Sequence, residues 1–223
     1  MGTDNLFHKR RAKKAKELSR RNARRQPYDK VLVVCEGEKT EPHYFNGLKD
    51  HYSLNSANIE ICSDCGPDPL GIYAYARRRY FDEKAKGDPF DRVFCVFDKD
   101  SHGTYQRAVD DMQRARPSGT FKAINSVPCF EYWLLLHFKA TTRPYAPVPG
   151  NSACNQVLTE LRKFMPDYSK GNADIFSLLV EKMDFAIGNA DHALQIATGA
   201  GTDNPTTRVH ELVRYLRNIK GLP

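Results

Sequence analysis

Two uninterrupted apolar runs constrain the fold of this chain more than any other feature of its sequence. Val31-Leu-Val-Val-Cys35 and Val93-Phe-Cys-Val-Phe97 are rich in β-branched and aromatic residues and do not alternate with polar ones. Such runs are typical of strands that are buried on both faces, as in parallel sheets. Because parallel neighbours need long crossover connections, we expect helices between the strands.

The segments around these runs alternate between strand and helix patterns. Further strands are predicted at 59–62 and 121–124, and helices at 40–48 (with Thr40 as N-cap), 72–86, near 104–116 and at 130–138. After a Pro-rich, irregular stretch at 141–150, helices are predicted at about 155–165, 172–198 and 205–220, the last beginning at Asn204-Pro205. We therefore predict an α/β fold: a mostly parallel sheet flanked by helices, with a helical C-terminal part.

The excess positive charge is concentrated at the N-terminus. Residues 1–30 carry 11 Lys and Arg against three acids, a net charge of +8, whereas the remaining residues carry 23 basic and 24 acidic side chains. We predict a basic N-terminal arm (1–27), an α/β core (28–140) and a helical part packed on the core (141–223). Such an arm can bind nucleic-acid phosphates by counterion release, although a solvated tail that aids solubility has the same composition.

The candidate nucleic-acid-binding residues are basic side chains of the arm and one lysine of the C-terminal part. They are Lys9, Arg10, Arg11, Lys13, Lys14, Arg20, Arg21, Arg24, Arg25 and Lys170. Tyr168, close to the last of these, could offer an aromatic face to a nucleic-acid strand or instead pin the Pro-rich connector.

The distribution of apolar residues and cysteines predicts a cytoplasmic protein with no membrane partner. No apolar run approaches the roughly 20 residues of a membrane-spanning helix, and the N-terminus lacks the apolar core of a secretion signal. The six cysteines lie mostly in apolar stretches, which indicates buried thiols in a reducing cytosol rather than a disulfide framework. Cys62-Ser-Asp-Cys65 has no second pair at zinc-binding spacing, so we expect no zinc site there.

Acidic residues follow both buried runs. Asp98 and Asp100 come directly after the second run, and Glu36 and Glu41 follow the first. Functional groups gather beyond the carboxyl ends of parallel strands, and carboxylate oxygens are ligands of Mg²⁺ and Mn²⁺. The sequence therefore predicts a metal site shared by the two strand ends, although the two aspartates could instead shape a turn or cap the next helix.

Three further residues are candidates for the same site. Lys39 could stabilise a phosphate in the transition state or pair with a neighbouring acid, and His102 could bind a phosphate or be an ordinary surface histidine. Glu131 lies beside Phe130 and Trp133 in an apolar segment, where an unpaired charge is expensive to bury. It either turns to the strand ends and joins the metal, or faces solvent near the helix N-terminus.

Five ordered motifs carry a resemblance to a known family. They are Val33-Val-Cys-Glu-Gly-Glu-Lys-Thr-Glu-Pro-His-Tyr-Phe45, Phe97-Asp-Lys-Asp-Ser-His102, Pro128-Cys-Phe-Glu-Tyr-Trp-Leu-Leu-Leu-His-Phe138, Tyr168-Ser-Lys170 and Asn204-Pro-Thr-Thr207. With them, about residues 28–218 resemble the RloB family. The core of that family is similar to the Toprim fold of topoisomerases, bacterial primases and OLD-type nucleases, so the resemblance implies a Toprim-like sheet.

The resemblance also implies roles for individual residues. Glu36 matches the Toprim glutamate, Asp98 and Asp100 match its Asp-x-Asp, and Glu41, offset by one residue, is the nearest counterpart of the additional glutamate of OLD-type nucleases. Glu131 belongs to the RloB-type Pro-Cys-Phe-Glu block. The implied metal ligands are Glu36, Asp98, Asp100, Glu41 and Glu131, and the implied catalytic residues are Glu36, Glu41, Asp98, Asp100, Lys39 and His102.

The function that the resemblance implies is hydrolysis of nucleic-acid phosphodiester bonds. We expect a nuclease dependent on Mg²⁺ or Mn²⁺ that cuts RNA, including tRNA, or DNA, and acts in bacterial defence or as a toxin-like effector with an ABC/SMC-like ATPase as partner. The main alternative is a non-catalytic module that binds nucleic acid or a partner and retains the acidic cleft. A nucleotidyl-transfer enzyme of the primase or topoisomerase type ranks last, because no zinc ribbon or polymerase domain accompanies the core.

Overall fold

A five-stranded sheet forms the centre of the computed structural model, which describes residues 9–13, 15–17, 19, 27–63, 66, 68–99 and 103–221. The strands are β1 (Val31–Cys35), β2 (Ile59–Cys62), β3 (Arg92–Asp98), β4 (Phe121–Val127) and β5 (Thr206–Thr207), in the order β2-β1-β3-β4-β5. The first four are parallel, and β5 pairs antiparallel with β4. The predicted α/β class with a mostly parallel sheet is confirmed.

Helices connect the parallel strands and make up most of the regular structure after them. They are α1 (Thr40–His51), α2 (Pro69–Ala85), α3 (Tyr105–Arg114), α4 (Glu131–Leu135), α5 (Ala153–Leu161), α6 (Met183–Gly199) and α7 (Val209–Asn218), with 3₁₀ turns at Val180–Lys182 and Ile219–Gly221. Within the described parts of the chain, every helix is too short or too polar to span a bilayer.

Both faces of the sheet are covered at β1 and β3, which explains the uninterrupted apolar runs of these two strands. Every residue of β1 is buried: Leu32 and Val34 pack in one apolar cluster with α2 and α3. Val31 and Val33 face the opposite way, into a larger cluster with α1 and the helices of the C-terminal part. The C-terminal helices therefore share one core with the sheet.

The structure corrects the predicted helix at 172–198. Residues 173–179 form turns, and the helix begins only at Met183. Ile175, Phe176 and Leu179 are nonetheless buried. The apolar spacing that suggested a helix thus reflects the packing of a turn-rich segment against the core.

The predicted helix start at Asn204-Pro205 is also wrong. The Asn204 side chain accepts a hydrogen bond from the backbone N–H of Tyr145 (3.1 Å) and donates one to the carbonyl of the same residue (2.7 Å). Thr206–Thr207 then form β5, and α7 starts at Val209. Pairing with β4 thus extends the chain where local sequence favoured a helix.

Thr40 is the first residue of α1, and Lys39 occupies the N-cap position that we predicted for Thr40. The Thr40 hydroxyl is used differently: Oγ1 accepts a hydrogen bond from the backbone N–H of Gly171 (3.0 Å). It thereby anchors a loop of the C-terminal part at the start of α1.

The expectation of buried thiols rather than disulfides is wrong for two of the six cysteines. Cys129 and Cys154 are joined by a disulfide, with their Cα atoms 5.7 Å apart. The turn after β4 and the start of α5 meet there, although the two residues are 25 positions apart in sequence. Cys35 and Cys95 are buried thiols of the sheet and Cys62 is a half-buried one, whereas Cys65 lies outside the described residues.

Candidate functional site

Three neighbouring parallel strands each deliver an acid to the same edge of the sheet. Glu36 follows β1, Asp98 ends β3, and Glu131 opens α4 shortly after β4. The Glu36 N–H donates to the carbonyl of Val96 (2.9 Å), and the Asp98 N–H donates to Oε2 of Glu36 (2.8 Å). The structure thus brings Glu36 and Asp98 together, as the sequence suggested.

An open cavity of about 380 Å³ joins these acids. Its wall is formed by residues 36–41, Asp98, Phe130, Glu131 and the pair Lys170-Gly171. Four of the predicted acids therefore share one cavity with two predicted lysines, Lys39 and Lys170. All but Lys170 lie between the last residue of a parallel strand and the first turn of the helix that follows it, so the sheet itself accounts for most of the arrangement.

Glu41 lies in the first turn of α1 and is only 7% exposed. A Cβ atom on residue 37 would overlap the carboxylate of Glu41, so the lack of a side chain at Gly37 leaves room for that carboxylate. Burial, together with the negative charges of Glu131 and Glu36, raises the pKa of Glu41 to about 7, although a backbone hydrogen bond and Lys170 act in the opposite direction. Glu41 therefore exchanges a proton near neutral pH.

Glu131 is 2% exposed and lines the cavity, so it does not face solvent at the helix N-terminus, which was one of the two alternatives. Its Oε1 accepts a hydrogen bond from the Tyr168 hydroxyl (3.3 Å) and pairs with Lys170 Nζ (3.1 Å). Tyr168 itself is 4% exposed, so its ring offers no face for stacking on a base. Its hydroxyl instead positions Glu131.

Lys170 reaches the acids because its loop is held at the start of α1. Besides the bond to Thr40, the carbonyl of Gly171 lies 3.1 Å from His43 Nδ1. Gly171 has a left-handed backbone conformation (φ +83°) and packs against the aliphatic part of Lys39. A Cβ atom on residue 171 would lie 3.0 Å from Cδ of Lys39. Burial lowers the pKa of Lys170, but the ion pair with Glu131 and the other nearby acids raise this pKa by more. Lys170 therefore stays charged.

Several predicted site residues lie outside the described residues or away from the cavity. Asp100, His102, Lys14, Arg20, Arg21, Arg24 and Arg25 fall in the first group. Lys9, Arg10, Arg11 and Lys13 are exposed on a helical stretch and do not line the cavity. Sequence reasoning missed the role of Tyr168 beside Glu131, because only contacts between distant parts of the chain reveal it.

Possible metal ligands lie closer together around the disulfide than among the other acids of the cavity. Among the described residues, the side chains of Cys129, Glu131 and Cys154 have potential ligand atoms within 4.8 Å of one another, and no other trio does. Glu36, Asp98 and Glu41 share the cavity at wider spacing. Mg²⁺ typically uses one or two protein carboxylates and fills its other positions with water, so its binding does not require a compact trio.

A larger cavity, of about 520 Å³, lies along β4 between α3 and α7. Three of its charged residues are paired: Asp203 with Lys99 at 2.6 Å, and Arg208 with Glu211 at 2.5 Å. The smaller acidic cavity, at the carboxyl ends of the parallel strands, is therefore the better candidate for chemistry.

Comparison with protein-family models gives a match to the family described as RloB-like protein, over residues 31–216. Comparisons with curated proteins and with solved structures returned no match. The matched region contains all five strands and every residue that lines the acidic cavity. Because it spans well over half of the sequence, the chain belongs to the RloB-like protein family.

Proposed function

We propose that this protein is a nuclease that uses Mg²⁺ or Mn²⁺ to hydrolyse phosphodiester bonds of RNA or DNA. The observation that carries the proposal is the delivery of Glu36, Asp98 and Glu131 by three adjacent strand ends into one cavity. The raised pKa of Glu41 supports it, since buried carboxyl groups that disturb one another's charge are concentrated at functional sites.

The donor set fits a hard divalent cation. Glu36, Asp98 and Glu41 offer carboxylate oxygens, and we assign the ion to them. When bound, such an ion would stabilise the negative charge of the phosphate and of the leaving oxygen.

The residues of the chain have separate tasks in this proposal. Glu41, whose pKa is about 7 in the absence of a metal, would release its proton to solvent when the ion binds. Lys170 is paired with Glu131 at the cavity while its side chain remains 62% exposed, so it can also contact a phosphate. The basic arm would hold the nucleic-acid backbone without reading its sequence.

The proposed setting is bacterial defence against phage or a toxin-like response, with an ABC/SMC-like ATPase as partner. It rests on the motif resemblance and on family membership rather than on the geometry of the site. In this setting, the ATPase would restrain cleavage until infection.

The direct test is cleavage of labelled tRNA, single-stranded RNA and duplex DNA with Mg²⁺, Mn²⁺ or EDTA. Glu36→Gln and Asp98→Asn each remove a charge at nearly constant shape, and we expect either to slow cleavage by about 100-fold or more. Glu181→Gln is the matched control, because this exposed acid does not line the cavity.

Two results would count against the proposal. Cleavage that persists at the wild-type rate in both acid variants would place the activity elsewhere. Salt-sensitive binding of nucleic acid without cleavage in either metal would favour the non-catalytic binding module.

A further inference from the structure

The two carboxylate oxygens of Glu131 have different neighbours, and one of them lies close to the disulfide. Its Oε1 is engaged by Tyr168 and Lys170, whereas its Oε2 lies 3.5 Å from Sγ of Cys154. Cys129, the disulfide partner of Cys154, precedes Glu131 by two residues. Two sulfurs and one carboxylate oxygen thus converge beside the acidic cavity.

We propose that the reduced chain binds a thiophilic divalent cation, Zn²⁺ being the type case, through Cys129, Cys154 and Glu131. Two thiolates with one carboxylate form a three-ligand set of the kind that zinc accepts, with water in the fourth position. The set differs in kind from the all-oxygen donors expected for Mg²⁺, because thiolates select soft metals. The inference goes beyond the nuclease proposal and does not depend on it.

The surroundings of the three side chains suit such a site. Cys129 and Glu131 are each 2% exposed, so both are held by packing, whereas Cys154 is half-buried and gives access from solvent. Cys154 is the second residue of α5, after the N-cap Ser152, and the first turn of a helix favours an anionic thiolate. Lys170 offsets part of the negative charge at Oε1 and leaves Oε2 for the metal.

The disulfide makes this site dependent on redox state. A dithiol reductant delivers two electrons and two protons to the S–S bond, which yields two thiols and the oxidised reductant. Zn²⁺ then displaces the thiol protons to solvent as it binds. In the reverse direction, hydrogen peroxide accepts two electrons from the thiolates and, with two protons, becomes two waters while the S–S bond forms and the metal leaves.

Cobalt provides the test, since Co²⁺ bound by thiolates shows a sulfur-to-cobalt absorption band that oxygen ligands do not give. The full chain is reduced, freed of reductant under anaerobic conditions and titrated with Co²⁺. We expect the band in the reduced chain and its absence in the disulfide form. Cys129→Ser and Cys154→Ser should weaken or abolish it, whereas Cys62→Ser, which changes a half-buried thiol outside the trio, should retain it.

Glu131→Gln tests the third ligand separately. It should keep the thiolate band while lowering the affinity for Co²⁺ by at least the roughly tenfold that losing even an outer-shell partner costs. No nucleic acid is present in these titrations, so failure here and failure of the nuclease proposal are distinguishable.

Protection from alkylation keeps the proposal testable if a cysteine variant does not fold. In the reduced wild-type chain, Zn²⁺ should slow alkylation of Cys129 and Cys154, measured by peptide mass spectrometry, while Cys62 reacts at an unchanged rate. Absence of the thiolate band in the reduced wild type would overturn the proposal. So would a band that disappears in Cys62→Ser, or protection confined to other cysteines.

Discussion

Glu41 shows how a single buried carboxyl group can link the candidate site to stability. Its side chain occupies space that Gly37 leaves open, and burial together with two neighbouring acids raises its pKa from 4.5 to about 7. The folded chain therefore binds more protons than the unfolded chain between pH 4.5 and 7. Stability should fall as pH rises through that range, because the fold must then hold a buried negative charge.

Glu41→Gln should remove this pH dependence. We expect the variant to be more stable than the wild type by about 1–3 kcal/mol at pH 8, since a shift of one pKa unit corresponds to about 1.4 kcal/mol. At pH 4.5 the two proteins should differ little. Urea unfolding at both pH values measures this, and an equal difference at both would show that Glu41 titrates as an ordinary surface carboxyl.

Gly37→Ala should displace the carboxylate of Glu41 without changing the number of charged residues. The new Cβ would overlap the Glu41 side chain, which is buried and has to move. We expect a loss of stability of about 1–3 kcal/mol, as for other overpacking substitutions, and a weaker response of cleavage to Mn²⁺. Thermal unfolding and cleavage over a Mn²⁺ series provide the measurements.

Gly188→Ala is the matched control for this substitution. Gly188 is exposed on α6, and a Cβ there meets no atom within 4 Å. Alanine in place of a helical glycine should stabilise the chain by about 0.5–1 kcal/mol. If both alanine variants behave alike, the close approach of Gly37 to Glu41 has no energetic consequence.

At the scale of elements, the loop of residues 168–171 brings a positive charge to the acids that the sheet supplies. Lys170→Met removes that charge and leaves Glu131 with Tyr168 as its hydrogen-bond partner. We expect a loss of about 1–2 kcal/mol in unfolding free energy, because one partner of a largely buried charge is gone. If Lys170 also contacts a phosphate, the slope of log affinity against log salt should become shallower by about 0.7–0.9.

Lys139→Met is the control for the lysine substitution. Lys139 forms an ion pair with Glu160 at the same 3.1 Å, but Glu160 keeps Arg143 as a second partner. The unfolding free energy of the Lys139→Met variant should change by less than about 0.5 kcal/mol, and the salt dependence of its nucleic-acid binding should not change. Equal effects of the two substitutions would remove the special role of the 168–171 loop.

The elements that could be predicted are those whose pattern is local. The bounds of β1 and β2 are those expected from the sequence: β1 is apolar along its whole length because it is buried on both faces, and β2 is a short run with alternating apolar residues. The edge strand β5 was missed, since two threonines become a strand only through pairing with β4. The loop at Gly171 was missed for the same reason: its partner Thr40 is 131 positions away.

The same distinction applies to the site. Glu36 and Asp98 could be placed together because the carboxyl ends of parallel strands share one edge. The contacts of Glu131 with Lys170 and Tyr168, and the pairing of Cys129 with Cys154, depend on how the C-terminal part packs. No spacing in a single sequence specifies such pairs.

At the scale of the whole molecule, charge is divided between an N-terminal arm and a nearly neutral remainder. Residues 1–26 contain ten Lys and Arg and two acids, so deleting them leaves 24 basic and 25 acidic side chains. We expect the truncated chain to bind nucleic acid more weakly, with a salt slope shallower by roughly 0.7–0.9 for each phosphate that the arm had neutralised. Metal-dependent cleavage should persist at high substrate concentration, since the acidic cavity is untouched.

Filter binding over a salt series and cleavage assays on both chains measure the two effects. An unchanged salt slope would show that the arm binds no phosphates. Complete loss of cleavage in a truncated chain that still unfolds cooperatively would instead place the arm within the catalytic machinery.

The order of the site residues along the chain has a consequence for biosynthesis. All five acids of the cavity are translated before the loop that binds Glu131, and Tyr168 follows Glu131 by 37 residues. At about 5–20 residues per second, the ribosome needs roughly 2–7 s to cover that interval. A nascent or prematurely terminated chain therefore carries the acids without Lys170, and the site is completed only when most of the polypeptide has been made.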